Sequence, residues 1–299
     1  MVMAGAAGLL TVDRTSQLAI EPIWTETVES KLNQIVGEWK ARTQLQEAGL
    51  SPVRSVLLQG PPGVGKSLAA SWLAISLDIP LATLNLAAVI NSYLGKTGQN
   101  LAHVLDFAKR TTCVLFLDEF DALAKRRDDI QDVGELKRVV NVLLQAVDQW
   151  NAPSLLVAAT NHPQLLDTAM FRRFDAVIDF PPVATNQAIR SLESLGVPKD
   201  LARRYGRDMA GKPLSEVNRR VSEARKHALL QGKSFRESLA IVWAKERASI
   251  SPISARQRQV GELFDEGLSA RAIAKELKVS HSTVIRDLKH LGKESNDGA

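Results

Sequence analysis

From about residue 53 onward, short apolar runs alternate with longer stretches of helical spacing. Ser55–Gln59 (SVLLQ), Leu81–Asn85 (LATLN), Cys113–Leu117 (CVLFL), Leu155–Ala159 (LLVAA) and Ala176–Phe180 (AVIDF) each have the length of a strand. The first four are each followed by enough chain for a crossover helix. Strands that are apolar on both faces and joined through helices predict a parallel sheet covered on both sides. Pro181-Pro182 ends the fifth strand, because proline cannot donate to a ladder. Upstream, Glu29 to Glu47 has helical spacing and leads into the sheet. From Thr185 to about Lys245 only helical spacing appears, Ser249 to Ser254 (SISPIS) reads as a linker, and 253–292 reads as a compact helical unit. The expected organisation is therefore a loose N-terminal tail over 1–28, an α/β domain over 29–183, an all-helical domain over 184–248, a third domain over 253–292, and a loose tail over 293–299.

With 45% hydrophobic and 24% charged residues, the chain is neither wholly disordered nor collagen-like. No apolar run approaches the roughly 18 to 20 residues a membrane helix needs, so no membrane association is expected. The opening MVMAGAAGLLTVD lacks an early Lys or Arg and reads as a tail rather than a signal peptide. The single cysteine, Cys113, lies in an apolar run, which fits a buried thiol in a reducing cytoplasm. Charge is uneven: residues 190–250 are net +7, residues 251–299 net +1, and the first 189 net −3. The basic middle could face nucleic acid, an acidic partner or a nucleotide, or be the solvated side of amphipathic helices.

The chemistry begins at Gly60-Pro61-Pro62-Gly63-Val64-Gly65-Lys66-Ser67, between the first apolar run and a helix starting near Leu68. This is the G-x-x-x-x-G-K-[ST] pattern in its strand–loop–helix context. Its glycines let backbone N–H groups turn toward phosphate oxygens, and the helix N-terminus adds partial positive charge. Lys66 can reach the outer phosphates, and the Ser67 hydroxyl can ligate Mg2+. Downstream, the run VLFL ends in Asp118-Glu119, placing two carboxylates at a strand tip beside the phosphate loop. Asp118 would hold Mg2+ through water, and Glu119 would orient and deprotonate an attacking water. Thr160-Asn161 follows the fourth run, where Asn161 could hydrogen-bond that water or the terminal phosphate. Arg172 and Arg173 stand just before the fifth run; either could supply charge across a subunit interface.

In order and spacing these motifs resemble the AAA clade of the AAA+ ATPases, over about residues 30 to 235. GPPGVGKS looks like its Walker A element, LFLDEFDAL its Walker B element, AATN its first sensor, and RRFD a shortened arginine-finger segment. The clade usually has two residues between its arginines; here they are adjacent, which leaves open which one is the finger. The resemblance implies a P-loop NTPase fold of class α/β, with a parallel sheet, helices on both faces and an all-α lid. It also implies ATP hydrolysis with Mg2+ in a ring, expected to be a hexamer of identical subunits. It assigns Tyr93, Leu94 and Gly95 to a pore loop that grips a polypeptide, the aromatic wedging against an extended chain. It makes the basic segment the lid, with Arg219 or Arg220 as candidates to touch nucleotide near a helix start that Ser215 could cap. The wording of 90–182 resembles a bacterial subgroup found with subtilisin-like proteases.

Residues 254–289 resemble a helix-turn-helix, with Ile273, Ala274, Leu277, Val279, Val284, Ile285 and Leu288 as its small core. Its last helix could present His281, Ser282, Thr283 and Arg286 to a major groove, although such units also serve as protein docking modules. The leading expectation is a cytoplasmic ring ATPase that remodels protein, tethered through this unit to DNA or a partner. The alternatives are a DNA-centred ATPase, such as a loader or a transposition or transcription regulator, and a nucleotide-dependent assembly scaffold.

Overall fold

The computed structural model describes residues 10–14, 17–18, 20–86, 97–122, 142–249, 252–265 and 268–290. The expected pore-loop residues Tyr93, Leu94 and Gly95 lie outside these. The chain divides into two compact units, 1–219 and 220–299.

The first unit is built on a sheet of order β1-β3-β4-β5-β2-β6. Its strands are β1 (Leu10–Asp13), β2 (Ser55–Gln59), β3 (Leu81–Asn85), β4 (Val114–Asp118), β5 (Leu155–Thr160) and β6 (Ala176–Asp179). The five expected strands all form, and they pair in parallel, with Gln59 beside Thr160 and Leu117 beside Ala158. β1 pairs antiparallel with β3 at the edge, Leu10 opposite Leu84. The segment expected to be a loose tail thus contributes a strand, and its Ile23 and Trp24 are buried. β1 escapes sequence reading because only its first residue is partly buried and the rest is exposed, so no apolar alternation marks it.

The central strands alternate between two covered faces. Leu57, Leu84, Leu115, Leu117, Leu156 and Ala158 pack with Leu101, Val104 and Leu105 of α4 (Thr97–Arg110), and with Leu143, Val147 and Trp150 beyond it. Complete burial of a leucine side chain is worth about 1.5 to 3 kcal/mol. α3 (Lys66–Leu77) packs against β3, β4 and β5, and α1 (Glu26–Lys40) against α3 and β6. α1 buries Val28, Leu32, Ile35, Val36 and Trp39, a stripe of helical period; Thr25 caps it by accepting from the Val28 N–H. The helical stretch expected over 29–47 breaks at Ala41, giving a separate α2 (Arg42–Glu47).

After β6 come three further helices and then the second unit in chain order. α5 (Thr168–Phe171) precedes β6; α6 (Thr185–Ser194), α7 (Lys199–Asp208) and α8 (Leu214–Gln231) follow it, and the unit boundary falls within α8. The second unit continues with α9 (Phe235–Ser249), α10 (Pro252–Asp265), α11 (Ala270–Glu276) and α12 (His281–His290). The expected linker is shorter than its six residues, because Pro252 to Ser254 already belong to α10; proline fits a first helical turn, where its missing N–H costs nothing. Val260, Ala270, Ile273, Ala274, Val284 and Leu288 form the core of α10–α12, with Leu277, Val279 and Ile285 packed on it. Ser269 caps α11, and Ser280 caps α12 by accepting from the Thr283 N–H. No described helix is long and apolar enough to cross a membrane.

Candidate active site

The sheet order sets the C-terminal tips of β2, β5 and β4 side by side, and the chemistry sits on those tips. β5 lies between the other two, so Thr160-Asn161 stands between the phosphate loop and the acids.

The loop after β2 is held by close approaches that exclude a side chain. Gly60 has φ 146, and a Cβ there would lie 2.1 Å from the Phe180 carbonyl oxygen. Gly63 has φ 73, and its Cβ would lie 2.3 Å from Cβ of Pro213. The Gly63 carbonyl accepts from the Leu214 N–H at 2.9 Å, so the first turn of α8 is seated on the loop. Lys66, the first residue of α3, is buried, and its Nζ donates to the carbonyls of Gly60 (2.7 Å) and Pro61 (2.8 Å) and to Asn161 Oδ1 (2.7 Å). Burial pulls Lys66 down to about 8, against the opposing pull of the Asp118 and Asp121 carboxylates.

Asp118 ends β4. Burial pushes its carboxyl above the usual range, with Glu119 and Asp121 adding to the rise, while the Glu119 N–H (2.9 Å from Asp118 Oδ1) and Lys66 oppose it. Glu119 has φ 56, the left-handed region that a glutamate enters at a cost of about 1 to 3 kcal/mol. The neighbouring bonds hold it there: Phe120 N–H donates to the Ala159 carbonyl at 2.8 Å, and Ala122 N–H to the Glu119 carbonyl at 2.9 Å.

A cleft of about 340 Å3 opens on this face. Gly63, Gly65, Lys66, Ser67, Leu68, Asp118, Glu119 and Asn161 line it, all of them expected from sequence except for their joint placement. So do Trp24 and Asn218, which the sequence did not single out. Trp24 Nε1 and Asn218 Oδ1 are buried and have no hydrogen-bond partner among the described residues. A nucleotide supplies acceptors and donors of the kind these two atoms lack, so the cleft fits ATP at its glycine-lined and its orphaned ends alike. For Mg2+ the donor set also fits: Ser67 and Asp118 share the cleft, and a cation would relieve the raised carboxyl of Asp118. Among the described residues no three His, Cys, Asp or Glu side chains could hold a metal by themselves. Too few protein ligands is the pattern of Mg2+ bound jointly with phosphate oxygens.

The adjacent arginines are not equivalent. Arg173 pairs with Asp148, whereas Arg172 is exposed, with no ion-pair partner among the described residues. Between them and β2, Asp175 accepts from the N–H groups of Arg54 (2.8 Å) and Ser55 (3.1 Å), tying the start of β2 to this segment. Phe174 meets Phe120 edge-on, ring centres 5.6 Å apart. Of the lid candidates, Arg219 is largely exposed and pairs with Glu216, and Arg220 is buried with its guanidinium 5.5 Å from the Trp243 ring centre. Leu214, Ser215 and Asn218 line the cleft from this helix instead. In α12, Ser282 and Arg286 are exposed, one helical turn apart, and His281 and Thr283 are half-buried. The Thr283 hydroxyl lies 2.7 Å from that of Ser280, within the cap.

Residues 56–182 match the model of the ATPase family associated with various cellular activities (AAA), and residues 253–291 match a helix-turn-helix domain model. An uncharacterized AAA family ATPase of Sinorhizobium fredii, y4kL, is 38% identical over 201 residues, covering 66% of this chain and 61% of that protein. The ATP-dependent zinc metalloprotease FtsH 3 of Symbiobacterium thermophilum is 31% identical over 201 residues, covering 64% of this chain and 32% of that protein. The chain thus spans from about a third to three fifths of the length of these relatives. In fold it resembles the crystal structure of the FIGL-1 AAA domain, with a TM-score of 0.64 at 19% identity, over 79% of this chain and 86% of that one.

Proposed function

Because this chain belongs to the AAA family and carries a helix-turn-helix domain as well, we propose that it hydrolyses ATP in a ring of identical subunits and uses the cycle to remodel a polypeptide. One observation carries the hydrolysis: Lys66, Ser67, Asp118, Glu119 and Asn161 line a single cleft. Lys66 binds the outer phosphates, trading its bond to Asn161 Oδ1 for phosphate oxygens. Glu119 accepts the proton of the attacking water at its carboxylate, and the Asn161 amide holds the water and the terminal phosphate in line. Mg2+, held by Ser67 and Asp118 with phosphate oxygens, would supply neutralising charge across the outer phosphates. Arg172, exposed and without an ion-pair partner among the described residues, is the finger offered to the site of a neighbouring copy, and Arg173 holds the segment through Asp148.

Polypeptide remodelling draws support from the relatives, one of which is by name an ATP-dependent protease. The zinc chemistry in that name has no counterpart among the described residues, which hold no metal-binding cluster. A subtilisin-like protease is the partner this reading names. A second reading, an ATPase centred on DNA, rests on the solvent-facing Ser282 and Arg286 of α12.

The test measures ATPase rate for the chain alone, with an unfolded protein, and with duplex DNA at stated salt, with Glu119→Gln as the inactive control. Stimulation by the unfolded protein supports the remodeller. Stimulation by DNA alone replaces it with the DNA-centred reading, and a parent rate equal to that of Glu119→Gln removes hydrolysis altogether.

A further inference from the structure

Asp121 has no part in binding phosphate or metal as described above, yet it is a buried carboxylate, 3% exposed, three residues after Asp118. Its Oδ1 accepts two hydrogen bonds from the tip of β5: one from the Thr160 hydroxyl and one from the Asn161 N–H, both at 3.2 Å. The Thr160 hydroxyl in turn accepts from the His162 N–H at 3.1 Å. One residue earlier, Phe120 N–H reaches the Ala159 carbonyl. The turn that carries Asp118 and Glu119 is therefore fastened to Ala159, Thr160 and Asn161. Beyond Thr160 the strand ladder is finished, so nothing in the sheet itself fixes the main chain of Asn161. The Asn161 side chain must still meet Lys66 at 2.7 Å.

We propose that Asp121 is a positioning residue: it fixes Asn161 against Glu119, so that the amide and the base address the same water. The inference rests on the hydrolysis reading above and deepens it. Asp121 itself does not line the cleft. A shift of about 1 Å in a group that orients a reactant can cost on the order of a hundredfold in rate without weakening substrate binding. Both bonds go to one oxygen, so an amide oxygen at the same place would serve as well as the carboxylate. The same carboxylate also bears on the charge of Lys66 and Asp118, and the exchange of the 160–162 amides reports the geometric part.

The experiment uses the full chain with Asp121→Asn, Asp121→Ala, Thr160→Val, Asn161→Ala and the Asp121→Ala/Asn161→Ala double variant. Steady-state ATPase gives kcat and KM, and hydrogen exchange reports the amides of 159–162. Asp121→Ala is expected to lose roughly 10- to 100-fold in kcat with KM within about threefold. Exchange at 160–162 should quicken while β2 and β4 stay protected. In the Asn161→Ala background the same substitution should cost nothing further, because what it positioned is gone. Asp121→Asn should keep exchange at 160–162 close to the parent and recover most of the kcat that Asp121→Ala loses, and Thr160→Val should show a smaller form of the alanine effect. If Asp121→Ala fails to fold, Thr160→Val and Asp121→Asn still decide the matter. Unchanged exchange at 160–162, a loss that adds in full to that of Asn161→Ala, or an Asp121→Asn as slow as Asp121→Ala would each overturn the proposal. If the parent hydrolyses no faster than Lys66→Ala, it is the hydrolysis reading that fails, and the exchange data alone judge Asp121.

Discussion

Lys66 holds three oxygens at once, and of their owners only Asn161 lines the cleft; the carbonyls of Gly60 and Pro61 do not. To turn toward a phosphate in the cleft, Lys66 must loosen its bond to Asn161 Oδ1. That bond therefore competes with nucleotide, and removing it should tighten binding. A hydrogen bond to a charged donor is worth about 1.5 to 3 kcal/mol. Allowing for partial replacement by water, Asn161→Ala should gain about 1 to 2 kcal/mol in affinity, roughly five- to thirtyfold. ADP is the ligand to use, because it lacks the terminal phosphate that Asn161 would contact; with ATP the loss of that contact offsets the gain. Calorimetric titration of ADP at pH 6.5 keeps Lys66, held at about 8, in its charged form. The same substitution made on top of Lys66→Ala should have no effect, since the competing donor is absent. An ADP affinity that is unchanged or weaker in Asn161→Ala with Lys66 intact would refute the competition.

Arg172→Ala should leave thermal stability unchanged and abolish most turnover, whereas Arg173→Ala should also lose about 0.5 to 1 kcal/mol of stability with its Asp148 pair; equal stability of the two variants would contradict the division of roles. Burial pushes the Cys113 thiol up to about 11, so at pH 8 only about one molecule in a thousand carries the reactive thiolate. A thiol reagent should label Cys113 on unfolding and not before, and rapid native labelling would show the strand is open. Asp287→Ala should destabilise α10–α12 by about 2 to 4 kcal/mol, read by denaturant-dependent exchange, because it strands Arg256, whose Nε donates to the buried carboxylate at 2.8 Å. Burial raises Asp287, but the bonds from Arg256 and Gln257 outweigh it and hold the carboxyl below its usual range. A lowered carboxylate stabilises above its unfolded value, so this contribution should be complete at neutral pH and fade only as pH falls below about 4. A stability that fades instead between pH 6 and 5 would point to another group.

The sheet was legible because β2, β4 and β5 each carry an apolar run that is buried on both faces. β5 is buried at every position, and β2 at all but its last. Such strands announce themselves without any knowledge of their neighbours. β1 could not be found in this way. Its exposed residues owe their strand to the open edge of β3, a partner some seventy residues away, so the information lies in β3 and not in LTVD. The phosphate loop was legible for a related reason. Its glycines, lysine and serine are adjacent in sequence, and the close approaches of Phe180 and Pro213 only confirm what the spacing already demanded.

What could not be read is whatever depends on two distant segments meeting. Asp121 stood in plain view inside LFLDEFDAL, but its carboxylate gains meaning only from Thr160 and Asn161, some forty residues on. Trp24 and Asn218 reach the cleft from sequence positions almost two hundred residues apart, and nothing local distinguishes either from an ordinary buried side chain. The adjacent arginines make the point most sharply. As a dipeptide, Arg172 and Arg173 are chemically identical, and no property of the sequence around them could rank them. Asp148, 25 residues earlier, breaks the tie by taking one guanidinium and leaving the other exposed. A side chain already spent on its own subunit has little to offer a neighbour's phosphate. If one of the two is a finger, as proposed, a tertiary contact makes the choice, and moving that contact should move the finger: with Asp148→Ala, Arg173 is released, and single loss of Arg172 should become less damaging than it is in the parent. If Arg172→Ala is equally severe with and without Asp148, the pairing does not govern the choice.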